Sequence, residues 1–425
     1  MTTADPRPPA IDVECGLLTY STEGGRHEGR LRTSFQDFQV QELISLKGIV
    51  QARAPGLVPV YKVTKAGIDT PHVAREIAAL IRSEVNFAGL KDKNAAVVQY
   101  MSARSTRASA PPELRGNRFE AHLVGFSKPV TRGMLTGNRF RILVETTVDL
   151  EADFERCFEA CRGKRVANFF GYQRFGLRGG VNSRVGKAIV ARDFAGAVRL
   201  VLAEPREGED EQAVEARRLC REERYRDAVP LFSARQDIER RAASHLSQRP
   251  GDDLGALRTI PITIRRLIVN SYQAYLFNLA LSQVLAAGLD ISTAYSGDNW
   301  AQLKEGGLSV GRVRGVKEEV PRDGLAVPLV QIVGYGYRNY GSRLDLVLAK
   351  VMREEGVVPG SFYIKEAEEM SNEGGFRPAP MLCADLSFDK EERGFVLEFS
   401  LGKGEYATVL LREALKPEDP QSAGF

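Results

Sequence analysis

Strand-like alternation at both ends of the chain, separated by a long helical middle, is the feature that most restricts the fold. After Leu31, Phe38, Val40 and Glu42 alternate with Gln39 and Gln41, and Val58 to Val63 is β-rich. Near the other end, Phe395, Leu397, Phe399 and Leu401 fall on one face of a strand. Between about Leu150 and Leu289 helical patterns dominate. A β-rich unit assembled from both ends of the chain, with a helical unit inserted into it, accounts for this order. The 425 residues leave room for two or three domains, and a 43% hydrophobic content supplies their cores.

Local signals refine the outline. The first ten residues, rich in proline and small polar residues, read as a disordered lead-in. Thr70-Pro71 opens a helix, with Thr70 as N-cap and Pro71 in the first turn. Val73, Ile77, Leu80 and Ile81 then form its buried face. A turn at Gly137-Asn138 leads into a strand from Phe140 to Thr147. Glu204 to Arg226 is so charged that most of it reads as a solvated face.

Several function classes are disfavoured. The five cysteines are odd in number and irregular in spacing, which argues against a disulfide framework. Cys157 and Cys161 share a helix face, but no CxxC or nearby histidine completes a zinc set. The N-terminal residues have no apolar core, so they do not read as a signal peptide. Asn278, Ser282 and Gln283 interrupt the most apolar later stretch, Ala274 to Leu289, so no membrane span is expected. Gly179 to Lys187 faintly suggests a phosphate loop, but its glycine spacing is wrong and Ala188 replaces the required Ser or Thr. The expectation is a soluble, cytoplasmic protein with no cofactor, no metal and no evident obligate protein partner. A net charge of +4 permits a polyanionic partner without requiring one.

The densest chemical signal is Phe87-Ala-Gly-Leu-Lys-Asp-Lys-Asn-Ala-Ala-Val-Val-Gln-Tyr100. Taken alone, it reads most simply as a solvated turn. It also reads as a carboxylate, Asp92, kept ionised by Lys91 and Lys93. Here the chain resembles the TruD family of pseudouridine synthases, whose signature is G-x-K-D-[RK]-x-A…Q. Four further stretches resemble the family in order: Asp37-Phe-Gln-Val-Gln-Glu42, Gly137-Asn-Arg-Phe140, Asn168-Phe-Phe-Gly-Tyr-Gln-Arg-Phe-Gly176, and Leu401-Gly-Lys-Gly-Glu-Tyr-Ala-Thr408 running into Leu411-Arg-Glu413. Ser271 to Asn278 is similar to a helix of its inserted domain. The departures are Val97 for a frequent Thr, Ala167 for a usual Pro, and Arg32 where many members carry Lys.

The resemblance implies an α+β fold: a pseudouridine-synthase-type catalytic domain with a mixed, largely antiparallel sheet, interrupted by a helix-rich insertion. The expected division is 1–166 and 372–425 for the catalytic domain and 167–371 for the insertion, with substrate tRNA between them. The implied reaction is isomerisation of uridine to pseudouridine, at uridine 13 of tRNA, with Asp92 as nucleophile. It also implies a flipped-out target base, a cost of a few kcal/mol. Asn138, Phe140, Arg32, Phe38 and Lys91 are then candidates for holding the substrate, Arg32 by pairing with Asp92. Without the resemblance, Phe140 reads as a core residue and Phe38 equally so. Arg174, Phe175 and Tyr406 read as structural. A catalytically inactive RNA-binding protein would keep a basic cleft without needing Asp92. An RNA-cleaving or methylating enzyme would need a base pair or a cofactor loop that this sequence lacks.

Overall fold

The computed structural model describes residues 6–46, 48–176, 180–206 and 208–425. Met1 to Asp5 of the expected lead-in, and Gly179 of the faint phosphate loop, lie outside them. The strands are β1 (Phe38–Ile44), β2 (Val58–Ala66), β3 (Val85–Phe87), β4 (Ala96–Ala103), β5 (Glu113–Arg115) and β6 (Phe119–Ser127). They continue as β7 (Leu135–Glu145), β8 (Trp300–Gln302), β9 (Ala326–Ile332), β10 (Gly375–Pro378), β11 (Cys383–Glu391) and β12 (Gly394–Gly402). One sheet runs β11-β12-β7-β1-β4-β2-β6-β5, with β3 also on β4. Only its β1–β4 pair is parallel, so the sheet is mixed and largely antiparallel, and the fold is α+β.

Register decides which side chains share a face. Lys65 and Val40 both pair with Val97, Val40 pairs with Phe140, and Phe140 with Phe399. All five therefore point to one side. That side is covered in two places. Helix α2 (Thr70–Ile81), following the short α1 (Ala10–Glu14), packs Val73 and Ile77 with Val63 and Met101. Helix α3 (Glu151–Arg162) and the helix Ala407–Leu415 share a core with Ile142, Phe154, Leu397 and Phe399. Between these groups the sheet carries polar side chains. The reverse face shows Gln39, Gln41, Arg139 and Arg141, with Arg139 paired to Glu398 at 2.8 Å, as expected for a half-solvated antiparallel sheet.

The middle of the chain is helical but also holds the second sheet, β10-β9-β8. Its 25-residue helix Ile262–Ala286 contributes to two cores. Phe277 and Leu281 join the core under the large sheet, while Ile268, Tyr272 and Leu276 join that of the surrounding helices. A near-continuous apolar surface on this helix reflects burial on most sides.

Four local expectations need correction. Residues 10–14 form α1, whose Asp12 is fully buried, so the lead-in is shorter than its composition suggests. The cap of α2 is Asp69, whose carboxylate accepts from His72 N at 2.9 Å; Thr70 is inside the helix. Leu80 is 48% exposed and leaves the buried face to Val73, Ile77 and Ile81, which lie four residues apart. Gly137-Asn138 is no turn but the interior of β7, opposite Leu43 and Glu42. A Cβ at Gly137 would lie 2.3 Å from Leu401 O, so glycine there permits close strand approach. Most of the charged stretch Glu204 to Arg226 is solvated as expected, while within it Arg217 is 1% exposed and pairs with Glu209 at 2.6 Å. The segment Val181–Val190, part of the faint phosphate loop, is helix.

Candidate active site

The seam between the two covered regions holds Asp92. The loop 88–95 joins β3 to β4 and brings Asp92 beside the start of β4. Its backbone is held from several sides. Lys91 N donates to Thr70 Oγ1 at 3.1 Å, and that hydroxyl donates to Gln99 Oε1 at 3.0 Å. Lys91 Nζ meets Glu42 Oε1 at 2.6 Å, and Tyr100 N donates to Glu42 Oε2 at 2.9 Å. Lys65 Nζ donates to Asp92 O at 3.1 Å and to Ile68 O at 2.8 Å. The Asp92 carboxylate is held by one contact among the described residues, Arg32 Nη2 at 3.2 Å, and its side chain stays 46% exposed. The main chain is fixed while the acidic oxygens face solvent, the arrangement a nucleophilic carboxylate needs.

Each expected residue has a definite place. Arg32 lies with its guanidinium carbon 4.1 Å from the centre of the Phe38 ring, and its side chain is 13% exposed. Phe38 is buried and meets Phe140 edge-on at 6.2 Å. Phe140 is 7% exposed, with Phe399 stacked 5.4 Å away. Asn138 pairs with Glu42 across β7–β1, and its buried Oδ1 has no partner among the described residues. Lys91 directs its ammonium to Glu42, a buried ion pair that leaves Asp92 to Arg32. Arg174 and Phe175 lie in the short turn Tyr172–Phe175, where Phe175 is fully buried and Arg174 sits 5.4 Å from the Phe170 ring.

Sequence reasoning missed Lys65. Tyr61, Val63 and Lys65 share one parity of β2, so a lysine on the apolar face was the available signal. Burial pulls its pKa down to about 8, a shift that the nearby Asp92 opposes. Unfolded lysine titrates near 10.4. Between those pH values the folded state binds fewer protons, so this group alone makes stability rise with pH, its burial cost being fully present below about 8. Activity should move the other way. Losing the proton removes charge from the donor that fixes Asp92 O, so the single-turnover rate should fall as pH rises through about 8. Lys65→Met should be slow throughout and lack that limb. A Lys65→Met profile superimposable on the parent's would remove Lys65 from the site.

The motifs at the junction serve packing. Arg377 donates to Asn168 O at 2.9 Å and lies 4.3 Å from the Phe170 ring. Glu405 accepts from Leu382 N at 2.8 Å and Gly402 N at 2.9 Å, and burial pushes its pKa up to about 8. Among the described residues no group of three His, Cys, Asp or Glu is placed to hold a metal ion, and no helix is long and apolar enough to cross a membrane.

Comparison with known proteins gives the family of the chain. The family described as TruD, tRNA pseudouridine synthase D, matches residues 14–414. A "Probable tRNA pseudouridine synthase D" of Methanosarcina acetivorans is 30% identical over 97% of this chain and 98% of its own length. Another so named, from Methanopyrus kandleri, is 33% identical over 82% of this chain and 83% of its own. A crystal structure of a TruD chain from Methanosarcina mazei superposes with a TM-score of 0.78 at 28% identity, covering 98% of this chain and all of that one. The family match spans nearly the whole chain, and the chain therefore belongs to the TruD family, the tRNA pseudouridine synthase D isomerases.

Proposed function

We propose that this protein converts uridine 13 of tRNA to pseudouridine, with Asp92 as the nucleophile. The observation that carries the proposal is a carboxylate left 46% exposed while Lys65, Thr70 and Glu42 fix the loop around it and, among the described residues, Arg32 alone engages its oxygens. The reaction breaks the N1–C1′ bond, turns the base, forms a C5–C1′ bond, releases the C5 hydrogen as a proton and leaves N1 with a proton in place of the sugar. The balance is redox-neutral.

The remaining residues take roles around the flipped base. Asn138 Oδ1, buried and unpartnered, is an acceptor suited to the N3–H of uracil. Arg32 orients the carboxylate through its Nη2 contact at 3.2 Å. Lys91 acts on the substrate indirectly, by holding the loop through Glu42. Phe38 and Phe140 form the floor, with Phe140 seated between Phe38 and Phe399. The division into 1–166 with 372–425, and 167–371, is supported by the large sheet, whose strands all fall in the first group. β10, at 375–378, stitches the returning chain to β9. A cytoplasmic location suits a tRNA substrate.

The deciding experiment uses tRNA tritiated at uridine C5. Turnover releases tritium, whereas binding alone does not; parent protein that binds this tRNA but releases none would leave only an RNA-binding role. Phe140→Ala should cost about 3–5 kcal/mol of stability, since it empties a buried aromatic site. On the folded fraction it should also slow turnover more than it weakens tRNA binding, because affinity comes mostly from phosphate contacts. Folded Phe140→Ala turning over at the parent's rate would make Phe140 a packing residue only.

A further inference from the structure

Arg32 is held by more than its partner carboxylate. Its backbone has φ of 59°, a left-handed conformation that an arginine rarely adopts unaided. What holds it is the segment 419–425, far away in sequence. Leu31 N donates to Ala423 O at 2.8 Å, and Arg32 Nη1 donates to Gly424 O at 2.6 Å. The guanidinium is therefore a fork with one nitrogen on the Gly424 carbonyl and the other on Asp92. Because the fork is planar and rigid, the carbonyl sets where the second nitrogen points.

The segment is built to present that carbonyl. The Asp419 carboxylate accepts from Gln421 N and Ser422 N, both at 3.0 Å. Ala423 N returns to Asp419 O at 3.0 Å, and Phe425 N to Pro420 O at 2.9 Å. The Phe425 ring packs on the main core, edge-on to Tyr172 at 6.5 Å. Gly424 has φ of 86°, and a Cβ there would lie 2.3 Å from Leu31 O. Any side chain must push the segment away from residues 31–32.

We propose that the segment 419–425, through the Gly424 carbonyl, is a positioning element that aims Arg32 at Asp92. The proposal rests on the reading of Asp92 as nucleophile. It assigns Gly424 no contact with the substrate, so its effect belongs to the chemical step and not to tRNA affinity.

The test is a double-mutant cycle on the full chain, read by single-turnover tritium release at saturating tRNA. Gly424→Val should slow the step by roughly 10- to 100-fold, as expected for a small misplacement near reacting groups. Its tRNA Kd should stay within about two-fold, as phosphate contacts dominate affinity. In an Arg32→Ala background the same substitution should add less than about two-fold, because Arg32 is the route of its effect. If Gly424→Val melts well below the parent, Gly424→Ala, whose Cβ alone meets Leu31 O, takes its place in the cycle. Equal slowing in both backgrounds, or a folded variant as fast as the parent, overturns the proposal while leaving Asp92 in place. Undiminished turnover by Asp92→Asn would instead remove the reading beneath it.

Discussion

Asp92→Asn should lose pseudouridine formation by a factor on the order of 10⁴ or more, the scale seen when a nucleophile is removed. The amide fills nearly the same volume, so the loop should keep its shape. Lys65 still reaches the residue 92 carbonyl, and Lys91 still pairs with Glu42, since neither contact uses the carboxylate. The lost contact to Arg32 is half exposed on the carboxylate side, where such pairs contribute about 0–1 kcal/mol. Melting should therefore barely move, and tRNA affinity should stay within a few-fold. Tritium release measured in a single turnover, with binding measured on the same preparation, separates these effects. Release within about 100-fold of the parent's rate, from protein free of the parent enzyme, would end the assignment of Asp92.

Arg412→Met should produce a large loss of stability. Arg412 is fully buried in the helix Ala407–Leu415. Its Nε meets Asp12 Oδ2 at 2.7 Å, its Nη1 meets Thr19 O at 3.1 Å and Glu413 Oε1 at 3.2 Å, and its plane lies 4.0 Å from Tyr20. Burial works against its charge, and Asp12, Tyr172, Glu413 and Tyr20 together more than reverse that, leaving its pKa above the ordinary arginine value. Removing the cation leaves buried carboxylates uncompensated, a loss of roughly 3–5 kcal/mol. Adding Asp12→Asn should recover part of it, because the two changes share one interaction. Urea unfolding of the parent, Arg412→Met and the double variant measures this directly. An unchanged midpoint in Arg412→Met would mean that the cluster contributes nothing to stability. The Leu411-Arg-Glu413 signature thus has a structural use: it locks residues 12–22 onto the helix that packs under the large sheet.

Much of this molecule follows from local pattern. Alternation in Phe38-Gln-Val-Gln-Glu42 and Phe395–Leu401 marks strands because successive side chains must leave a strand on opposite sides. The spacing of Val73, Ile77 and Ile81 marks α2 for the corresponding helical reason. Asp92 was conspicuous for its flanking lysines and for the motif it belongs to. These signals lie within a few residues of one another.

The remainder depended on residues brought together from distant parts of the chain. Thr70 reads as a cap, yet its hydroxyl serves Gln99, 29 residues away, and Asp69 takes the capping place. Gly137 reads as a turn, but its lack of a side chain accommodates Leu401 across the sheet. Lys65 looks like a strand lysine until sheet register sets it under the Asp92 loop. Arg32 and Gly424 are separated by 392 positions, and Arg412 and Asp12 by 400. Periodicity is a property of one segment's backbone geometry, so the sequence alone determined where strands and the principal helices lie. Which charges meet, and which carboxylate stays open to solvent, depends on strand order and packing, and only the tertiary structure decided those.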